Sequence, residues 1–125
     1  MNHKVSKDIS SEVLSEWVVE GMLDKKAHDV VVMDLREIKH AVADYFIVCS
    51  GNSDTQIDAI SDSVEDQIHK KSKQNPWKRE GQQNKEWILL DYIDVVAHIF
   101  NKEKRTFYGL EELWGDAKIT RIEDN

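Results

Sequence analysis

The sequence predicts an α/β fold in which helices pack on a mixed five-stranded sheet. Three segments carry apolar residues at helical spacing, and five carry the short β-branched or alternating runs typical of strands. They follow one another in the order α, β, β, α, β, β, β, α. With 125 residues, one proline and five glycines, the chain suits a single domain over residues 1–125, with its core at about 9–117.

The first helix is predicted over residues 8–25 and the first strand over residues 29–35. The helix has one apolar stripe, formed by Ile9, Val13, Leu14, Trp17, Val18 and Met22. The strand contains four apolar residues in a row, Val30 to Met33, which indicates burial on both faces.

A second strand of the same kind is predicted over residues 44–50, and Cys49 within it is expected to be a small buried hydrophobe. The next helix starts at Ser53, where Ser53 and Gln56 match a capping box. Its apolar residues fall inside one narrow arc and are expected to face the sheet: Ile57, Ile60, Val64 and Ile68.

The polar stretch over residues 72–86 reads as a connection that contains one short edge strand at 77–79. Strands at 87–92 and 95–100 then follow so closely that they predict an antiparallel hairpin.

A last helix is predicted over residues 104–114, and the tail at 119–125 is expected to be frayed. The helix is expected to bury a few large apolar side chains: Phe107 or Tyr108, Leu110, Leu113 and Trp114.

The charge balance limits the partners. There are 24 acidic and 17 basic residues, and a net charge of −7 argues against duplex nucleic acid and suits basic partners or simply solubility. The single cysteine cannot form an intramolecular disulfide, which suits a reducing compartment. No apolar run has the length of a signal-peptide core or a membrane span. We therefore expect a cytoplasmic protein with no membrane partner.

The junction at Gly51 and Ser53 is the best candidate for an active site, because it resembles the Gly-Ser corner of nucleotidyltransferases. Those enzymes need carboxylates on an adjoining strand to hold two metal ions. Here Asp91 and Asp94 are the only strand-borne candidates, and a turn separates them. Capping is the better account of Ser53. The five histidines are scattered, so no metal, cofactor or catalytic residue is expected.

A nucleic acid surface is the second alternative. Trp77 lies among five basic residues: Lys70, Lys71, Lys73, Lys78 and Arg79. Compensation of the helix dipole and a solvated loop explain these charges more simply. A minor contact with structured RNA stays open.

The hairpin is the best candidate for a protein-binding surface. Alternation along the strand puts Trp87, Leu89 and Asp91 on one face and Ile88, Leu90 and Tyr92 on the other. Three helices in so short a chain do not readily cover both faces of a sheet. One apolar strip that carries a carboxylate is then left for a partner, although the sequence does not say which face is exposed.

Four motifs occur in order along the chain. They are residues 44–53 (Asp-Tyr-Phe-Ile-Val-Cys-Ser-Gly-Asn-Ser), 87–92 (Trp-Ile-Leu-Leu-Asp-Tyr), 95–100 (Val-Val-Ala-His-Ile-Phe) and 105–114 (Arg-Thr-Phe-Tyr-Gly-Leu-Glu-Glu-Leu-Trp). Together they closely resemble the ribosomal silencing factors, the RsfS and Iojap family, over about residues 17–117. One departure is Ile93, in a turn where many members have glycine.

The resemblance implies a nucleotidyltransferase-like fold that lacks the catalytic carboxylates. It implies binding to the fourteenth protein of the large ribosomal subunit, at the face that meets the small subunit. Occupation of that face blocks subunit association sterically and represses translation. Members often form homodimers when free. The alternatives are a factor for assembly of the large subunit and a nucleotidyltransferase-type enzyme at Gly51 and Ser53.

The contact region of the family matches the hairpin in this sequence. The resemblance therefore implies partner-binding roles for Trp87, Leu89, Asp91 and Tyr92, with Asp94 and Tyr45 as second candidates. Trp87 and Leu89 are expected to make apolar contacts, and Asp91 to pair with a basic residue of the ribosomal protein.

Overall fold

The computed structural model describes residues 9–105 and 109–122. Along these residues the elements are α1 (Ser11–Asp24), β1 (His28–Asp34), β2 (Tyr45–Gly51), α2 (Asp54–Ser72), β3 (Lys78–Glu80), β4 (Trp87–Asp91), β5 (Val95–Asn101), α3 (Leu110–Leu113) and β6 (Lys118–Arg121). The two long helices and the first five strands lie where the sequence predicts them, to within a few residues.

The strands form one sheet in the order β3-β4-β5-β2-β1-β6. The central neighbours β2 and β5 are parallel, and every other neighbouring pair is antiparallel. The predicted mixed sheet and the antiparallel hairpin of β4 and β5 are confirmed. All seven residues of β2 are buried, because this strand lies in the middle of the sheet with protein on both faces.

The prediction of five strands is wrong, because the tail adds a sixth. β6 pairs antiparallel with β1, from Val31 opposite Arg121 to Asp34 opposite Lys118, and the N–H of Ile122 donates to the carbonyl of Val30 at 2.8 Å. All four residues of β6 are exposed, so the strand carries no alternating apolar pattern that sequence reasoning could detect. Backbone pairing with the free edge of β1 orders this segment.

The prediction of a last helix over residues 104–114 also needs correction. Arg105 is helical, residues 106–108, with Phe107 and Tyr108, lie outside the described residues, and α3 has only four residues. Gly109 has a left-handed backbone with φ of 59°, which a continuous helix does not contain. Leu110 is buried as expected, but the side chain of Leu113 is 73% exposed.

Both long helices pack on the same face of the sheet, and we call it the helix face. Their apolar stripes, which include Val18 of α1 and Ile60 of α2, form one core cluster with the inward residues of the strands. The helices approach closely at Gly21, where the hydroxyl of Ser63 donates to the carbonyl of Gly21 at 2.8 Å. A Cβ atom on Gly21 would lie 2.8 Å from the Cα of Val64.

The turn of the β4–β5 hairpin has an unusual backbone. The N–H of Asp94 donates to the carbonyl of Tyr92 at 2.9 Å, which makes a three-residue turn centred on Ile93. Ile93 has a φ of 76°, in the left-handed region that a β-branched residue rarely adopts. The turn therefore keeps the conformation that suits glycine, and the isoleucine is strained.

We expect Gly21→Ala to lower the free energy of unfolding by about 1–3 kcal/mol, because the new methyl group meets the backbone of α2 and the helices must separate. Urea denaturation measures the change. Gly115→Ala is the matched control, since a Cβ atom there meets nothing nearer than 3.5 Å. Equal stability of the Gly21 and Gly115 variants would contradict the close helix packing.

We expect Ile93→Gly to raise the free energy of unfolding by up to about 1 kcal/mol, since relief of the left-handed strain exceeds the cost of a more flexible unfolded chain. Thermal denaturation measures the change. Val42→Gly is the control, because Val42 is also exposed and β-branched but lacks a positive φ. A loss of stability in both variants would show that Ile93 is unstrained.

Candidate functional site

One strip of β4 faces away from the two long helices. Its residues Trp87, Leu89 and Asp91 are half-buried, whereas Ile88 and Leu90 between them are fully buried in the core under the helices. We call Trp87, Leu89 and Asp91 the hairpin strip, and the sheet face that carries it the open face. The predicted division of β4 into two faces is confirmed, and the exposed side is the one without the long helices.

The open face is covered unevenly. Segments at residues 35–43 and 110–117 pack over the side chains that β1, β2 and β5 present there, which include Met33, Phe46 and Phe100. Trp114 lies on this cover, with its ring 5.8 Å from the ring of Phe46 in an edge-to-face arrangement. The cover buries the middle of the open face, while the hairpin strip keeps part of its surface in solvent.

Trp87 is held in one orientation. Its indole N–H donates to Nδ1 of His98 at 3.0 Å, and its ring stacks on Phe100 with a centroid distance of 5.0 Å. Both partners lie on β5. Phe100 is directly opposite Trp87, and His98 is opposite Leu89, two residues away along the strand. An aromatic side chain that is already ordered loses little conformational freedom when a partner covers it. The arrangement suits an anchor for a protein partner.

His98 orients Trp87 as a neutral ring. Burial lowers the pKa of His98 to about 3, so the imidazole is uncharged at physiological pH. Because Nδ1 accepts the indole hydrogen bond, the ring proton lies on Nε2, which has no hydrogen-bond partner among the described residues. His98 is thus a structural histidine that is hydrogen-bonded within the sheet.

Asp91 has a structural contact besides its exposed charge. Its Oδ1 accepts a hydrogen bond from the N–H of Ile93 at 2.7 Å, which stabilises the hairpin turn. Across the strand pair it lies opposite Lys78, whose pKa is raised first by a hydrogen bond to Glu80 and less by Asp91. Replacement of Asp91 by alanine would therefore disturb the turn, whereas asparagine keeps an acceptor at the same place.

The other predicted residues do not all join the strip. Asp94 is exposed in the hairpin turn, one residue beyond Ile93. Tyr92 and Tyr45 are 6% and 5% exposed and belong to the core cluster on the helix face. Their burial raises the pKa of both hydroxyl groups. The structure thus brings together Trp87, Leu89 and Asp91 and places both tyrosines on the opposite side of the sheet.

Sequence reasoning did not identify three apolar residues that are more than half exposed in the structure. Val42 is 72% exposed, Ile93 is 59% exposed, and Leu113 is exposed to a similar degree. The turns that carry Val42 and Ile93 are joined, because the N–H groups of Asp44 and Tyr45 both donate to the carbonyl of Asp94. Only Ile93 had a signal in the sequence, as an apolar residue in the turn of the predicted hairpin.

The junction at Gly51 and Ser53 is filled by its own side chains. The Oγ of Ser53 accepts from the N–H of Gln56 at 3.1 Å, as the capping box predicts. The Oε1 of Gln56 accepts from Asn52 instead of Ser53, and its amide nitrogen donates to the carbonyls of Lys25 and Lys26. The N-terminus of α2 is thus tied to the end of α1, which accounts for both side chains without a ligand.

Four of the five basic residues near Trp77 are paired with carboxylates of the same chain. Arg79 makes a two-point contact with Glu65 of α2, and Lys78 contacts Glu80 at 2.9 Å. Lys70 and Lys71 pair with Asp66 and Glu20. These pairs reduce the positive charge that a nucleic acid would meet.

Two further findings concern chemistry and membranes. Within residues 9–105 and 109–122, no group of three or more His, Cys, Asp or Glu side chains is arranged to hold a metal ion. Cys49 is fully buried, and burial raises the pKa of its thiol. No described helix is both long enough and apolar enough to span a bilayer.

Comparisons with known proteins give a consistent result. The family model described as "Ribosomal silencing factor during starvation" matches residues 8–125. The ribosomal silencing factor RsfS of Bacillus subtilis is 43% identical over 100 residues, which cover 80% of this chain and 83% of that protein. A mouse protein named "Mitochondrial assembly of ribosomal large subunit protein 1" is 29% identical over 79% of this chain and 44% of its own length.

A crystal structure of a Chromobacterium violaceum protein matches with a TM-score of 0.79 and 29% identity, over 86% of this chain and 88% of that chain. The shared fold therefore extends over most of both chains. With a family match over most of its length and a relative at 43% identity, the chain belongs to the ribosomal silencing factor family.

Proposed function

We propose that this protein binds the large ribosomal subunit through its fourteenth protein, with the hairpin strip as the contact surface. Bound there, it blocks the approach of the small subunit sterically and represses translation. The observation that carries the proposal is the strip itself. It offers an ordered tryptophan, an apolar neighbour and a carboxylate on the one face of the sheet that the long helices leave open.

The chemistry of the strip suits a basic protein partner. Trp87 and Leu89 supply apolar contact, and aromatic residues are enriched among the side chains that dominate interface energies. The Oδ1 of Asp91 accepts a hydrogen bond from the N–H of Ile93. The other carboxylate oxygen is therefore the one that a basic residue of the partner would contact. A net charge of −7 speeds association with a cationic surface through electrostatic steering. Asp94, at the adjoining turn, adds to the same field.

A steric mechanism depends on where the protein binds on the subunit and does not require a catalytic group. An interface of about 800 Å² per partner supports a specific complex, and the hairpin strip would form one part of it. The protein then acts as a binding protein and not as an enzyme, in the cytoplasm and without a cofactor. The filled junction at Gly51 and Ser53 supports this choice over nucleotidyl transfer. The nucleotidyltransferase-like fold and a homodimer in the free protein stay predictions.

Assembly of the large subunit is the second candidate function. It is supported by the printed name of the mouse relative, which refers to assembly of the mitochondrial large subunit. The same strip serves both roles, because an assembly factor and a silencing factor differ in when they occupy the subunit and not in the chemistry of the contact. A minor contact with ribosomal RNA is compatible with either.

We expect Trp87→Ala to weaken co-sedimentation with purified large subunits by about 30-fold, because truncation of a central aromatic anchor costs roughly 2 kcal/mol or more. Asp91→Asn is expected to weaken binding mainly at low salt, since it removes the charge and keeps the acceptor for Ile93. Thermal denaturation of each variant shows that it is folded.

Trp77→Ala is the matched control, because Trp77 is a tryptophan outside the strip that is 70% exposed. Loss of binding in the Trp77 variant, together with full binding of the Trp87 variant, would move the site to the basic region and refute the hairpin strip.

We expect wild-type protein, added to separated subunits, to reduce the yield of whole ribosomes in a sucrose gradient, whereas the Trp87 variant leaves the yield unchanged. The physical reason is that one surface of the large subunit cannot hold the protein and the small subunit together. Unchanged yield at a wild-type concentration that saturates the large subunit would exclude steric silencing and favour an assembly role.

A further inference from the structure

The second surface of interest is the far edge of the sheet. β6 is the last strand beside β1, and its four residues are exposed. Its pairing with β1 uses the backbone groups of alternate residues, as the bond from the N–H of Ile122 to Val30 shows. The N–H and C=O groups of Ile119 and Arg121 therefore point away from β1. No strand of the described residues pairs with these groups, so they form an open edge of the kind to which an extended peptide adds as a further strand.

A groove of about 430 Å³ runs beside this edge on the helix face, between α1 and the strands β1 and β6. Its floor is apolar, with Val19 of α1, Val32 of β1 and Ile122 beyond β6. Thr120 of β6 also lines the groove. A peptide strand added at the open edge would direct every second side chain toward this floor.

One wall of the groove is acidic. Glu12, Glu16 and Glu20 follow one another at intervals of four along α1 and all line it. Glu20 is engaged by Lys71 and Gln67, and these contacts lower its pKa. The carboxylates of Glu12 and Glu16 are exposed and make no ion pair with any described residue, although the guanidinium of Arg36 interacts electrostatically with Glu12 at longer range. Two negative charges are thus left above an apolar floor, next to an open strand edge.

We propose that the β6 edge and this groove bind an extended, basic segment of a second protein, which adds to the sheet as a seventh strand. Lysine and arginine side chains have long aliphatic stems with a charge at the end. Their stems fit over Val19, Val32 and Ile122, and their charges reach Glu12 and Glu16. Main-chain hydrogen bonds to Ile119 and Arg121 supply affinity, and the acidic wall selects basic sequences.

This surface is distinct from the hairpin strip. β6 and β4 are separated by β1, β2 and β5 in the sheet, and the groove opens on the helix face. One protein can therefore hold its main partner with the hairpin strip and a basic extension with the β6 edge. The inference does not depend on the identity of the main partner.

The test is fluorescence anisotropy with a labelled synthetic peptide of alternating lysine and valine, measured on the full chain. We expect wild-type protein to bind it at low salt and to bind the matching glutamate–valine peptide no better than background. Glu12→Gln with Glu16→Gln is expected to weaken binding by about tenfold, since two local charge pairs are lost. Asp62→Asn with Asp66→Asn makes the same change in net charge on the exposed side of α2 and is expected to have little effect.

A second variant tests whether the peptide binds by adding a strand to the sheet. Arg121→Pro removes the outward N–H and leaves the bonds of the flanking residues to β1, so the protein is expected to fold and to bind the peptide at least fivefold more weakly. Arg121→Ala keeps the N–H and is expected to bind as wild type. Circular dichroism and a thermal melt check that both variants are folded.

Three results would overturn the proposal. The first is that the wild-type protein does not bind the peptide, and the second is that the two pairs of acid-to-amide variants weaken binding equally. The third is that the protein forms a dimer that is dissociated by Arg121→Pro but not by excess peptide. The last result would assign the edge to a second copy of this chain. Trp87→Ala is expected to bind the peptide normally, so failure of this inference and failure of the proposed ribosome contact give different results.

Discussion

The packing of both long helices on one face of the sheet is the constraint from which the other features of the molecule follow. The helices meet closely at Gly21, where the hydroxyl of Ser63 also bonds the backbone of α1. Together they cover the strands from β1 to β4 on that side. Neither long helix of the described residues lies on the other face, where two irregular segments form the cover. Their cover ends before β4, and the hairpin strip is the part left in contact with solvent.

A half-exposed tryptophan is useful to a binding protein only if it does not collapse onto its own surface. Here the hydrogen bond to His98 and the stacking on Phe100 hold the indole in place. Burial keeps the histidine neutral, because its pKa is lowered to about 3. The orientation of Trp87 is therefore insensitive to pH in the physiological range. Asp91 serves the same end, since its bond to Ile93 fixes the turn that ends the strip.

The charged residues are distributed differently on two sides of the protein. On the side of α2 and β3, most basic residues are paired with carboxylates of the same chain, which reduces the positive charge available to a nucleic acid. On the side of α1, Glu12 and Glu16 stand unpaired among the described residues, beside the open edge of β6. The net charge of −7 alone does not distinguish these two sides, although both contribute to it.

By itself the sequence determined the elements whose side chains repeat with a clear period. The stripes of α1 and α2, the buried runs of β1 and β2, and the alternation in β4 each report burial directly, because burial selects residue type. The family motifs likewise pointed to Trp87, Leu89 and Asp91. Only the tertiary structure decided which face of β4 is open, because both faces of that strand are apolar. It also decided that Tyr45 and Tyr92 point to the helix face and that the exposed tail forms β6. Backbone pairing and contacts with neighbouring elements can order a segment without requiring a periodic pattern of apolar side chains in its sequence.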